Sequence, residues 1–163
     1  MYDKIANSAK FSRESCYICI KYSSAEDLSE KKMSRFSIKI DSKAPEFWRQ
    51  NITTMCGLYD ENNNRTGFIS TENIIAPIGS QLTAKPDSYA EPRIISLESE
   101  ECDHITLLVY AIPHTLPEDN YIDFSPPFDL RITVLRDGEP FYSALHAINQ
   151  WSGANIRIEL PQK

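Results

Sequence analysis

The sequence predicts an all-β protein, an antiparallel β-sandwich of about seven to nine strands with one short helical turn. Apolar side chains recur at every second position in several short segments, as they do in strands with one buried face. Turn-forming residues separate these segments, and helical periodicity is almost absent. The chain also carries 10 prolines against 5 glycines, and proline is disfavoured inside helices and central strands.

The predicted strands follow one another along the chain. The alternating segments are 16–22, 34–41, 52–59, 67–70, 105–112, 128–136, 140–145 and 155–160, and the short segments 74–78 and 93–97 are further candidates. In 34–41, Phe36, Ile38 and Ile40 share one face and the residues between them are polar, which favours a sandwich over a barrel. The segment 105–112 is apolar on both faces, which predicts a central strand.

Proline and glycine mark the connections between these strands. Pro45 is followed by an acidic residue, a pattern typical of the first turn of a short helix or 3₁₀ turn. Asp137-Gly138 predicts a tight hairpin. Because Pro140 cannot donate a backbone hydrogen bond, its strand is expected to lie at a sheet edge. The last strand, 155–161, is a second candidate edge for pairing with a partner.

Length and charge limit the classes of protein to which this chain is expected to belong. A chain of 163 residues predicts one β-sandwich domain over 1–163, with 1–12 as a candidate disordered N-terminal segment. The net charge of −6 opposes binding to phosphate backbones, so no nucleic-acid partner is expected. No apolar run reaches the roughly 18 residues that span a bilayer, which predicts no direct membrane insertion. The default expectation is a soluble cytoplasmic protein, and the alternative is an exported or lipid-anchored domain whose signal has been removed.

Cysteine and histidine spacings predict no metal site. Cys16 and Cys19 have the CxxC spacing of redox and zinc sites, but residues three apart in a strand face opposite ways. Cys102 and His104 are expected on one face of a strand, where zinc would need two further ligands. Three more residues are candidates for those ligands: Cys56, His114 and His146.

Acidic loops leave a calcium- or glycan-binding β-sandwich module as an alternative function. The run from Asp60 resembles the start of an EF-hand loop, but Arg65 replaces the required glycine and Thr71 the terminal glutamate. Calcium binding in sandwich loops would require Asp60 or Asp137 to meet a second acidic group at one end of the fold. That second group consists of Glu118, Asp119 and Asp123.

The predicted architecture is C2-like or immunoglobulin-like in general type. The paired aspartates of C2-type calcium sites have no match. Cys16 and Cys102 have a separation tolerable for an immunoglobulin pair, but Trp48 falls in the turn after Pro45 rather than in a strand. No tyrosine stands two residues before Cys102. The immunoglobulin hallmark is therefore missing, and architecture alone does not give function.

The sequence contains none of the local motifs of common enzymes. It has no G-x-S-x-G elbow, no glycine-rich phosphate loop and no H-E-x-x-H motif. With 3 histidines, a catalytic triad would have to assemble from distant segments. We therefore expect no catalytic residue and no cofactor, and keep a small hydrolase with a dispersed active site as a second alternative.

Aromatic and apolar loop residues supply the candidate binding surface. This surface consists of Phe47, Trp48, Tyr121, Ile122, Phe124 and Trp151. The first two follow Pro45, the next three belong to the proline-rich loop 113–127, and the last lies in the bend 149–153. Aromatic residues on rigid loops are common at protein interfaces, and the alternative is that they cap the sandwich. The leading expectation is a non-catalytic binding or scaffolding module that contacts a protein partner as a component of a larger assembly.

Overall fold

The computed structural model describes residues 33–161, and within them the predicted antiparallel β-sandwich is confirmed. Two four-stranded sheets are present. Their strands are β1 (Phe36–Asp41), β2 (Gln50–Tyr59), β3 (Arg65–Asn73), β4 (Ile94–Glu98), β5 (His104–Pro113), β6 (Phe128–Arg136), β7 (Glu139–Ile148) and β8 (Ala154–Leu160). A 3₁₀ helix, Pro45–Arg49, joins β1 to β2, as Pro45 predicted. In this part of the chain no helix is long and apolar enough to cross a membrane.

The two sheets place the predicted central and edge strands as expected. The first sheet has the order β4-β1-β6-β7 and the second has the order β3-β2-β5-β8. Strand β5 pairs with β2 on one side and β8 on the other, so it is a central strand. Strand β7, which contains Pro140, and strand β8 both lie at edges of these sheets. Every pair of neighbouring strands is antiparallel.

The inward side chains of both sheets form one hydrophobic core. On β1 and β5 the core residues are Phe36, Ile38, Ile40, Ile105, Leu107 and Val109. Burying each side chain of this kind stabilises the fold by roughly 1.5–3 kcal/mol relative to leaving it exposed. A slip of one residue would turn all of them towards water, so the alternation selects the register.

Two hairpin turns follow directly from their sequences. At Asp137 and Gly138 the backbone φ angles are 52° and 86°, the left-handed region that a tight hairpin requires. Between β2 and β3, Asp60 Oδ1 accepts hydrogen bonds from the N–H groups of Asn62 and Asn64, at 2.9 and 2.8 Å. The aspartate therefore closes this turn through its own side chain.

One predicted strand is wrong. Residues 74–78 are not a strand, because the side chain of Asn51 takes up the backbone groups that a strand would pair. Asn51 Oδ1 accepts from Ile75 N–H at 2.8 Å, and Asn51 Nδ2 donates to the carbonyl of Ala76 at 2.7 Å. Strand β3 extends to Asn73 instead, and an irregular loop follows it.

Several predictions concern residues outside the described range. The strand 16–22, the Cys16–Cys19 spacing, the pairing of Cys16 with Cys102 and the segment 1–12 all depend on such residues. The extent of the domain over 1–163 stays a prediction for the same reason.

Candidate binding surface

The six residues predicted to form one exposed surface are divided between a buried site and an exposed one. Phe47 and Trp48 are only 1% and 6% exposed, so they cap the sandwich and do not belong to an open surface. Tyr121, Ile122 and Phe124 are 69%, 53% and 75% exposed. Trp151 is half-buried in the 149–153 turn. We call Tyr121, Ile122 and Phe124 the aromatic tip.

Phe47 is held in place by a buried arginine that the sequence reasoning missed. The guanidinium of Arg93 lies over the Phe47 ring, with its central carbon 4.6 Å from the ring centroid. Its Nη1 donates to the carbonyls of Phe47 and Gln50 at 2.9 and 2.6 Å. Its Nε and Nη2 donate to Asn73, at Oδ1 and the carbonyl oxygen respectively. The Phe47 carbonyl also accepts from Gln50 N–H, so Arg93 adds a second donor there and ties the end of the 3₁₀ helix to β3 through Asn73.

Trp48 is held by a buried histidine. His114 Nε2 donates to the carbonyl of Trp48 at 2.8 Å, and the hydroxyl of Thr115 donates to His114 Nδ1 at 2.8 Å. The Thr115 hydroxyl in turn accepts from Leu82 N–H at 3.1 Å. Burial lowers the pKa of His114, which keeps the imidazole neutral as these bonds require. Both ring nitrogens of His114 are therefore engaged in hydrogen bonds inside the protein.

The aromatic tip is shaped by local hydrogen bonds. Phe124 N–H donates to the carbonyl of Tyr121 at 3.1 Å, and the two rings meet edge to face with centroids 6.2 Å apart. The carboxylate of Asp119 accepts from Tyr121 N–H at 3.3 Å and from the hydroxyl of Ser125 at 2.6 Å. Ser125 is buried, so Asp119 ties the exposed turn to the body of the domain.

A second hydrogen bond connects the chain next to the tip with the turn between β7 and β8. Gln150 Nε2 donates to the carbonyl of Pro126 at 2.8 Å. The same turn is closed by two backbone hydrogen bonds between Asn149 and Gly153. The chain on the C-terminal side of the tip is therefore fixed to a rigid turn, while the aromatic side chains project into solvent.

Three of the acidic residues considered for calcium, Asp60, Asp119 and Asp137, accept hydrogen bonds from the protein itself. Hydrogen bonds from the Asn64 side chain and backbone lower the pKa of Asp60, which serves the β2–β3 turn. Asp119 braces the tip. Within residues 33–161, no three side chains from His, Cys, Asp and Glu come together in a geometry that holds a metal ion.

Within residues 33–161, each remaining histidine and cysteine is engaged in the core, in ring stacking or in a hydrogen bond. Cys102 lies in the core, whereas His104 stacks on Tyr59 with ring centroids 5.2 Å apart. The expectation that Cys102 and His104 share one face is therefore wrong, because the chain enters β5 only at His104. Burial raises the pKa of Cys56 to about 12, so its thiol stays protonated at neutral pH. His146 hydrogen-bonds the hydroxyl of Tyr142 at 3.1 Å.

Comparisons with known proteins give one distant structural likeness. No protein-family model matches the sequence, and no curated protein matches it. The crystal structure of a DUF4425 family protein from Bacteroides ovatus is similar with a TM-score of 0.39 and 13% sequence identity. The match covers 78% of this chain and 93% of that one.

Proposed function

We propose that this protein is a non-catalytic binding module that engages a protein partner through the aromatic tip, as a component of a larger assembly. The observation that carries the proposal is the exposure of three neighbouring apolar side chains on a braced turn. Interface energy concentrates in a few aromatic anchors that enter pockets on a partner. A tip already held in shape loses little conformational entropy on binding, which supports tight association.

The charges beside the tip indicate what the partner surface must offer. Glu118 precedes the aromatic tip and Asp123 lies within it, between Ile122 and Phe124, and the whole chain carries a net charge of −6. A complementary partner has an apolar pocket with lysine or arginine at its rim, because opposite potentials speed encounter and select the orientation. The same charge opposes docking on anionic lipid or nucleic acid.

The proposal is tested by replacing the tip and identifying captured proteins. We would compare the unaltered protein, the double variant Tyr121→Ser/Phe124→Ser and the control Ile78→Ser as baits in cell extract, after mild crosslinking. Ile78 is 70% exposed in a different loop, so the control removes a similar apolar surface elsewhere.

Loss of two anchor residues is expected to reduce capture of the specific partner about 30-fold or more. The Ile78→Ser bait should retain that partner as the unaltered protein does. If all three baits capture the same proteins in equal amounts, the aromatic tip is not the binding surface.

A further inference from the structure

A second candidate site lies in a cleft formed by the segment after β1 and the loop before β4. The cleft has a volume of about 580 Å³, within the roughly 300–1,000 Å³ typical of small-molecule sites. Its walls come from residues Ser42, Lys43, Ala44, Pro45, Tyr89, Glu91, Pro92 and Arg93. Apolar surface from the two prolines therefore lies beside a few polar and charged groups, which is the usual composition of a ligand site.

The buried wall of this cleft carries a cation with no anionic partner. Arg93 is 7% exposed, and its guanidinium hydrogen-bonds only neutral groups: two oxygens of Asn73, the carbonyls of Phe47 and Gln50, and the side chain of Tyr89. Within residues 33–161, no carboxylate forms an ion pair with it. Desolvation lowers the pKa of Arg93 to about 10, so the guanidinium remains charged at neutral pH. A buried charge without a counter-charge is costly, and an anion beside it would offset that cost.

The surrounding charges add to the positive potential of the cleft. Lys43 belongs to the segment after β1 and Arg93 to the loop before β4, and both line the cleft. The one acidic residue in the lining, Glu91, is paired with Lys85 at 2.8 Å, so its charge is largely offset. The cleft is therefore positive although the whole chain has a net charge of −6.

We propose that this cleft binds a small organic anion, with its charged group towards Lys43 and Arg93 and its apolar part against Pro45 and Pro92. The aromatic ring of Tyr89 completes the wall, and the ring centroid is 5.9 Å from the guanidinium carbon of Arg93. The site is independent of the aromatic tip, and either can exist without the other.

The experiment compares a charged probe with a neutral one of the same shape. The full chain, labelled with ¹⁵N, is titrated with benzoate and separately with benzamide while amide chemical shifts are followed. Benzoate is expected to give saturable shifts at Lys43, Ala44, Tyr89 and Arg93, with an affinity that falls as ionic strength rises. Benzamide should bind at least about tenfold more weakly, because it lacks the charge.

Matched lysine variants assign the binding to this cleft. Lys43→Met is expected to weaken benzoate binding about fivefold. Lys39→Met, which removes an equal charge from the exposed face of β1, should leave it unchanged. Because replacing Arg93 removes buried hydrogen bonds that hold the fold together, the lysine pair keeps the test independent of that residue.

Three outcomes of the titration with the unaltered protein would overturn the inference. These are equal affinity for benzamide and benzoate, shifts that lie outside the cleft, and the absence of saturable shifts at millimolar probe. Equal weakening by Lys43→Met and Lys39→Met would also overturn it, since that pattern indicates attraction to the protein as a whole.

Discussion

The 3₁₀ helix and the aromatic tip both present aromatic residues on irregular segments, yet one is buried and the other is exposed. The carbonyls of Phe47 and Trp48 accept hydrogen bonds from Arg93 and His114, which are 46 and 66 residues away along the chain. The bonds that Asp119 makes within the tip span only two residues to Tyr121 and six to Ser125, and the longer bond from Gln150 reaches Pro126, on the C-terminal side of the tip. Long-range bonds pull the first segment into the core, whereas short-range bonds give the second a fixed shape without covering its side chains.

If the tip binds a partner as we propose, this difference separates the segment that stabilises the fold from the segment that recognises the partner. A segment whose backbone is satisfied by distant side chains contributes to the folding free energy, because those bonds exist only in the native fold. A segment that satisfies itself locally can keep its apolar side chains in water at a modest cost and offer them to a partner. The predictions below test that separation, in order of decreasing effect.

The largest contrast is expected between Phe47→Ala and Phe124→Ala. Removing the buried ring should lower the free energy of unfolding by about 4 kcal/mol, since it leaves a cavity and takes the aromatic surface away from Arg93. Removing the exposed ring should change it by less than about 0.5 kcal/mol. Urea denaturation followed by fluorescence measures both. Similar losses in the two variants would show that the tip is also part of the stable core.

The next largest effect on stability is expected in the turn between β7 and β8, which supports the tip through Gln150. At Gly153 φ is +72°, and a Cβ atom would lie 1.9 Å from the carbonyl oxygen of Ala111, so the backbone itself must move. We expect Gly153→Ala to cost about 3 kcal/mol or more. Gly138 has φ of +86° with nothing within 4 Å of the added atom. Gly138→Ala should therefore cost only about 1 kcal/mol, the strain of the backbone conformation alone.

Thermal and urea unfolding of the two glycine variants separate steric overlap from backbone strain. If Gly153→Ala loses no more stability than Gly138→Ala, the close approach between the β7–β8 turn and β5 is not rigid. The hydrogen bond from Gln150 to Pro126 would then be a weak support for the tip.

A pH dependence of stability is expected from one buried and one half-buried histidine, His114 and His146. Burial lowers the pKa of both His114 and His146 below the ordinary value of 6.5. The unfolded chain therefore binds more protons than the folded one, and stability is full above about pH 6.5 and falls as the pH drops below it. Denaturation at about pH 7.5 and about pH 5.5 measures the loss. In His146→Gln a smaller loss should persist, carried by His114, and a flat profile in that variant would contradict this assignment.

The sheets were predictable because their signal is local in the sequence. The alternation of Phe36, Ile38 and Ile40 and the pair Asp137-Gly138 determine strand faces and turn geometry with little outside help. The absence of a strand at 74–78 was not predictable, because it depends on Asn51, a residue in another strand that binds the backbone there.

Only one of the two parts of the candidate surface was predictable, because only that part depends on local sequence alone. Nothing near Phe47 in the sequence indicates that Arg93 will cover its ring, so the burial of the 3₁₀ helix emerges only from tertiary contacts. The aromatic tip, in contrast, can be predicted from the sequence of its own segment. A cluster of apolar residues sits among prolines and acidic residues, and Asp119 stands two residues before Tyr121, the spacing of a side-chain turn.

The last effect, modest on stability and clear on recognition, is expected from the hydrogen bonds by which Asp119 braces the tip. Asp119→Ala removes the acceptor for Tyr121 N–H and for the Ser125 hydroxyl, and should lower the free energy of unfolding by about 1 kcal/mol. Amide exchange at Tyr121 should become faster, and partner capture should weaken although every aromatic side chain remains, because the ordering of the tip must then occur on binding. Asp119→Asn keeps an acceptor for the backbone and should retain most of the binding. If Asp119→Ala captures the partner as well as the unaltered protein, then the tip binds through its side chains alone and its fixed shape has no role in recognition.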